Sequence, residues 1–318
     1  MPELTVAAGL ARGLIAFAAK KGADPTVLAE RAGIDPAQLQ DQDNRVPFAK
    51  YVTLMRAAKA LCNDPALALH YGEIDDLAEI SVLGLIGQAC ETMSEAFVQL
   101  NRYGRLVVEF DGGHDRFKLD RDGAGLWVVD MRENPDAFSE LTESTFARMV
   151  CGPRAFGVTQ IAKAVHVTHA APAYRAEYDR VFRVPVVFES GKNALLIDEA
   201  WLSHKIALQP RYVFGILSER ADALIKSLED SKTTRGRVEA LLMPVLHTGD
   251  VSMDTIAGKL AMSRQTLFRK LKTEGTSFEK LLDELRHKLA LDYLSGKKPM
   301  DPGFFTVHML RGVRCPDP

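Results

Sequence analysis

The stretch "MSRQTLFRKLKTEGTSF", residues 262–278, gathers four basic side chains around a Leu-Phe-Leu stripe. If Leu267 and Leu271, one helical turn apart, face inward, the 3.6-residue period turns Arg264, Gln265, Phe268, Arg269 and Lys272 outward. Those residue types read base edges: Arg pairs bidentately with guanine, Gln with adenine, and an exposed Phe meets a thymine methyl. Lys270 and Lys272 suit phosphates, which position a protein on duplex without reading it. A merely solvated amphipathic helix accounts for the same residues, and Phe268 fits a core equally well.

Such a helix needs a partner to hold it. "VSMDTIAGKLA" places Ile256 and Leu260 one turn apart, with Ser252 as N-cap and Asp254 in the positive first turn. "AMS" makes a short turn and Ser263 caps the next helix, so the spacing predicts a helix-turn-helix. Ala257 and Ala261 are small where the two helices are expected to approach closely. Beyond it, "SFEKLLDELRHKLALDYLSGKK" reads as a long amphipathic helix, with Thr276 and Glu279 in capping-box spacing and Gly296 as its stop.

Charge separates this segment from the rest. Residues 1–230 hold 25 Lys+Arg against 32 Asp+Glu, whereas 231–298 hold 13 against 8. An acidic body joined to a basic unit points to a polyanionic partner for the latter alone. "LEDSKTTRG", 228–236, is polar, lacks apolar periodicity and reads as a linker, assigned to 231–236.

Within the body, "VPFAKYVTLMRAAKALC", "SEAFVQLNRYGRLV" (capped at Ser94) and "FSELTESTFARMVCGP" repeat apolar residues at helical spacing. "RLVVEFDGG", "HDRFKLDRDG", "LWVVDMR", "KAVHVTH" and "VPVVFES" are short, rich in Val and aromatic residues, and bounded by Gly, Pro or Asp, as strands are. The fold class is therefore an α+β domain followed by an all-α unit.

No nucleophile elbow, phosphate loop or zincin motif occurs, and the pairs Asp75-Asp76 and Gly112-Gly113 read as solvated surface and hairpin turn. No catalytic residue and no cofactor are assigned. Cys62, Cys90, Cys151 and Cys315 lack paired spacing, which fits a reducing cytoplasm; His166 and His169 lie three apart on an expected strand and face opposite ways, which is no metal site. No apolar run approaches the roughly 20 residues of a membrane span.

"VSMDTIAGKLAMSRQTLFRKLKTEGTSFEKLLDELRHKLALDYLSG" resembles the first helix-turn-helix and connecting helix of the AraC/XylS transcriptional regulators. "AGIDPAQLQDQDNRVPF", "DPALALHYGE", "SVLGLIGQACETMSEAF" and "EYDRVFRVPVVFESGKNALLID" resemble the amino-terminal sensing domain of the subgroup that includes ornithine-utilisation regulators. The resemblance implies a sensing and dimerising domain at 1–230, which takes a small organic effector such as an amino acid or related metabolite. It implies the first part of a DNA-binding domain at 237–298, whose base-facing positions fall on Gln265, Phe268 and Arg269. The partners it implies are double-stranded DNA, the effector, a second copy in a homodimer, and RNA polymerase. The family continues with a second helix-turn-helix, whereas residues 299–318, "PMDPGFFTVHMLRGVRCPDP", carry Pro299, Pro302, Gly303 and Gly312 and resemble nothing in it. The DNA-binding domain is thus expected to be incomplete. The rival expectation is a truncated effector-binding, dimerising protein without specific DNA binding.

Overall fold

The computed structural model describes residues 3–74, 77–111, 115–156, 160–206, 209–246 and 252–294. The Asp75-Asp76 pair, the Gly112-Gly113 turn, Gly296, Cys315 and the 299–318 tail lie outside the described residues. The chain divides into two units between Ile225 and Lys226.

The first unit opens with β1 (Thr5–Ala7), α1 (Ala8–Lys20), α2 (Pro25–Ala32), β2 (Arg45–Pro47) and α3 (Phe48–Leu61). Next come α4 (Leu67–Ile74), α5 (Leu77–Ile80), α6 (Val82–Ala89) and α7 (Met93–Tyr103), then β3 (Phe117–Asp122), β4 (Gly125–Asp130) and α8 (Ser139–Cys151). It closes with β5 (Ala162–His166), α9 (Arg175–Phe182), β6 (Val186–Val187), β7 (Ala194–Ile197) and α10 (Arg211–Asp230), which carries the chain across the division.

Local chemistry accounts for many of these ends. Asp24 accepts from the Thr26 and Val27 amides at 2.7 and 3.3 Å, Pro25 presets the first turn, and Gly33 at φ 63° stops α2. The cap of α7 is Thr92, whose Oγ1 accepts from the Glu95 amide at 3.2 Å, so the expected cap at Ser94 is corrected: Ser94 lies inside the first turn.

Five strands form one sheet in the order β3-β4-β7-β5-β6, antiparallel except for the parallel pair β5–β6; β1 and β2 pair separately. Three strand expectations need correction. "RLVVEFDGG" forms a 3-10 turn followed by a lone bridge from Val108 to Val6, and "VPVVFES" narrows to Val186–Val187. The third is an omission: β7, at the centre of the sheet, is four apolar residues in a row and shows no alternation, because it is covered from both sides.

Helix α8 is polar in sequence yet buried almost throughout, from Leu141 to Ala147. It fits because Gly72 of α4 lets the backbones meet; a Cβ there would stand 2.2 Å from the Ser144 carbonyl oxygen. Several of its buried polar groups find partners, as burial requires: Ser144 Oγ donates to the Glu140 carbonyl at 2.8 Å. Glu143 accepts from the Tyr174 and Tyr178 hydroxyls at 2.8 and 2.6 Å, and burial raises its carboxyl above the ordinary range despite them.

The second unit contains α11 (Thr234–Leu242), α12 (Met253–Lys259), α13 (Arg264–Thr273) and α14 (Phe278–Leu294) around a small core that includes Val238, Leu242, Ile256, Leu267, Leu271 and Leu281. The expected linker at 231–236 is shorter than its composition suggested. Thr233 caps a helix that begins at Thr234, accepting from the Gly236 amide at 2.9 Å, so only 231–233 remain as a turn. The capping box at Thr276 and Glu279 is also corrected: Ser277 holds the cap position and accepts from the Lys280 amide at 3.2 Å, while Thr276 is buried.

Candidate functional site

Two helices of the second unit begin with the same device. Ser252 Oγ accepts from the Thr255 amide and Ser263 Oγ from the Thr266 amide, both at 3.1 Å, as the spacing predicted. Helices α12 and α13 also end alike. The Met262 amide reaches the Ala257 carbonyl at 3.0 Å and Ala261 reaches Gly258 at 3.0 Å; Thr276 repeats this with Leu271, and Gly275 with Lys272. Each ending places one residue in the left-handed region, Gly275 at φ 74° and Ala261 at φ 52°.

Ala261 is therefore not a contact between helices. It is exposed in the turn, and only Ala257 is buried as a close approach requires. A left-handed non-glycine residue costs about 1–2 kcal/mol, part of which a glycine forfeits through its freer unfolded chain. Ala261→Gly is expected to raise the stability of this unit by roughly 0.5–1 kcal/mol, read as the urea midpoint of residues 234–294 in hydrogen exchange.

Leu267 and Leu271 are fully buried, and Arg264, Gln265, Phe268, Arg269, Lys270 and Lys272 are all exposed, Phe268 at 51 %. At 100° per residue, Gln265, Phe268, Arg269 and Lys272 fall within an arc of about 100°. The structure brings those four together. Arg264 flanks them and pairs with Asp254 of α12 at 3.0 Å, an exposed ion pair of little energetic weight. Lys270 is turned about 160° from Lys272 and lies toward Glu274. Glu274 joins α13 to α11 by accepting from the Thr234 and Arg235 amides, each at 2.8 Å. Burial pushes its carboxyl up, but the two amides and nearby Lys270 outweigh that and hold it below the ordinary range.

The first unit contains a cavity of about 570 Å³ walled by α1, α6, α7, α8 and the strands β3, β4 and β7. Leu10, Phe97, Leu100, Val128, Leu141 and Trp201 make much of its lining, with Glu73, Arg116, Thr145 and Arg148 among the polar groups. Behind Arg116 stands a buried charge cluster. Asp130 accepts from Arg116 Nη2 at 3.1 Å and from Arg132 Nε at 2.9 Å. Burial alone would raise the Asp130 carboxyl; the guanidiniums of Arg116 and Arg132 hold it below the usual range. Burial, and then the adjacent Arg116, pull Arg132 down to about 10.

The family model described as the arabinose-binding domain of AraC transcription regulators, N-terminal, matches residues 22–206, more than half of the chain. The chain belongs to the AraC family of transcription regulators. It is a ligand-responsive regulator of that family, and the cavity lies almost wholly within the matched segment.

Among its relatives, the ornithine utilization regulator of Pseudomonas aeruginosa is 26% identical over 291 residues, covering 90% of this chain and 84% of that protein. An uncharacterized HTH-type transcriptional regulator found in both Mycobacterium bovis and Mycobacterium tuberculosis is 25% identical over 308 residues, covering 89% and 83%. The crystal structure of the transcriptional regulator CdpR from Pseudomonas aeruginosa aligns over 86% of this chain and 85% of that one, at 20% identity and a TM-score of 0.43.

The two histidines weighed as metal ligands in this AraC-family chain have separate partners. His166 Nδ1 meets Ser190 Oγ at 3.0 Å, and His169 bonds the Ala170 carbonyl and the Tyr178 hydroxyl. Among the described residues no group of three or more His, Cys, Asp or Glu is placed to hold a metal, and no helix is long and apolar enough to cross a membrane. The cavity residues carry no local sequence signal, because Arg116, Thr145 and the Asp130 that stands behind Arg116 come from separate elements. The one clue is the run of polar residues in "ELTEST" on a helix that must be buried.

Proposed function

We propose that this regulator binds double-stranded DNA by laying α13 in the major groove, with Gln265, Phe268 and Arg269 against base edges. Arg264, Lys270 and Lys272 then meet the backbone, Lys270 from the flank. The observation that carries this reading is the compact outward face of Gln265, Phe268, Arg269 and Lys272 over two fully buried leucines. The first unit, taken as residues 1–230, holds a small effector in its cavity and joins two copies into a homodimer. The chain acts in the cytoplasm, contacts RNA polymerase from bound DNA, and catalyses no reaction. One relative's name, ornithine utilization regulator, places amino-acid-derived metabolites first in a thermal-shift screen. A screen of broad metabolite classes in which nothing raises the melting temperature contradicts the sensing reading.

Base reading and plain charge separate in a competition titration at fixed salt. Arg269→Ala is expected to cost about 1–3 kcal/mol on the cognate duplex and to relax preference at one base pair. Lys272→Ala should weaken cognate and scrambled duplex alike and reduce the salt slope by about one. Equal losses on both duplexes for Arg269→Ala would favour an effector-binding protein that holds DNA only by charge.

A further inference from the structure

We infer that the cavity of the first unit takes a mainly apolar ligand bearing one acidic group and no amine, with that group seated on Arg116. This rests on reading the first unit as the sensing domain.

The donor is already in place. Arg116 is 8 % exposed and lines the cavity. Its Nε and Nη2 are engaged by Asp130 and by Thr145 Oγ1, at 3.5, 3.1 and 3.2 Å, whereas its Nη1 meets no partner among the described residues. A guanidinium carries five N–H donors in a planar fork, so two remain for an oxygen anion in the cavity. Thr145 accepts from Arg116 through its oxygen and keeps its own proton for the same anion.

Charge balance points the same way. Arg116 and Arg132 share one carboxylate, Asp130, so the buried cluster holds an excess positive charge. Asp136, the next acid to act on Arg132, is exposed and screened by water. A ligand carboxylate would neutralise that excess; a ligand ammonium would add to it. Nor does the wall offer an ammonium a counter-ion. Among the described residues the one acid lining the cavity is Glu73, and both its oxygens are held by Arg180, at 2.9 and 2.8 Å. A buried ammonium without a carboxylate is strongly disfavoured. Gln88, Ser144, Arg148, His204 and Lys205 also reach the lining, Arg148 and Lys205 adding positive charge, but most of the remaining wall is aliphatic or aromatic, which suits a hydrocarbon or aryl body.

The test is calorimetric titration of the full chain with four probes below any micelle-forming concentration: decanoate, decan-1-ol, 1-aminodecane and ornithine. Decanoate should bind about tenfold to a hundredfold more tightly than decan-1-ol, the advantage of a charge-assisted hydrogen bond, while 1-aminodecane and ornithine give no binding. Arg116→Gln leaves Asp130 paired with Arg132; it should erase the difference between decanoate and decan-1-ol, chiefly by weakening decanoate. Leu100→Trp, which fills the cavity, should weaken both. The ranking in the unsubstituted protein decides the matter even if a variant fails to fold. Equal binding of decanoate and decan-1-ol, or tighter binding of either amine, overturns the ligand class and leaves the sensing reading intact. Binding of none of the four also overturns the class, and the metabolite screen then decides the sensing reading separately.

Discussion

Leu267→Ala is expected to cost about 2–5 kcal/mol, enough to unfold much of the second unit. Leu267 is fully buried in a core of few side chains, where little neighbouring material can collapse into the space left behind. Peptides from 234–294 should lose hydrogen-exchange protection about thirtyfold or more, while peptides from the first unit keep theirs. Leu267→Met, of similar volume, should cost under about 1.5 kcal/mol. DNA affinity should fall for cognate and scrambled duplex together in the Ala variant, which distinguishes lost folding from lost base reading. If Leu267→Ala and Leu267→Met behaved alike, the packing of α13 described here would be wrong.

The second large effect lies in the first unit. Asp130→Ala leaves the guanidiniums of Arg116 and Arg132 buried side by side without their shared carboxylate, and is expected to cost about 3–5 kcal/mol. The pH dependence follows from the lowered carboxyl. A folded value below the unfolded one, near 3.9, means that the contribution of Asp130 is fully present above that value and is lost as pH falls through the folded one. Stability of the first unit should therefore drop more steeply below about pH 4 in the natural chain than in Asp130→Asn, measured by urea midpoints from pH 3 to 6. Parallel curves would remove the carboxylate from this role.

What could be read in advance was local. Ser252 and Ser263 cap their helices where the spacing put them, and Leu267 and Leu271 face the core because both signals are complete within one or two helical turns. Errors of one or two residues arose where two hydroxyl residues adjoin or nearly so. Thr276 and Ser277 both offer a cap, as do Thr92 and Ser94, and the choice rests on which residue first leaves helical geometry. Ala261 was misread because a small residue at a helix end serves either close packing or a left-handed turn, and only the backbone distinguishes them. Strand β7 was missed because burial on both faces removes alternation. The cavity was least legible of all. Arg116 precedes β3, Asp130 ends β4 and Thr145 belongs to α8, so their meeting is a property of the tertiary fold.

The margin of the large sheet has a further effect on the chain's life among other chains. Strand β3 pairs with β4 alone among the described strands, and its outer side offers backbone groups to any extended segment that drifts near. Yet from Lys118 to Asp122 every residue is exposed, and the run Lys-Leu-Asp-Arg-Asp keeps charge of both signs along that margin. An arriving strand would have to strip water from those charges before gaining a single ladder bond. This margin of the sheet therefore resists knitting edge to edge, and the same strand rebuilt from Val and Ile would become the seed of an aggregate.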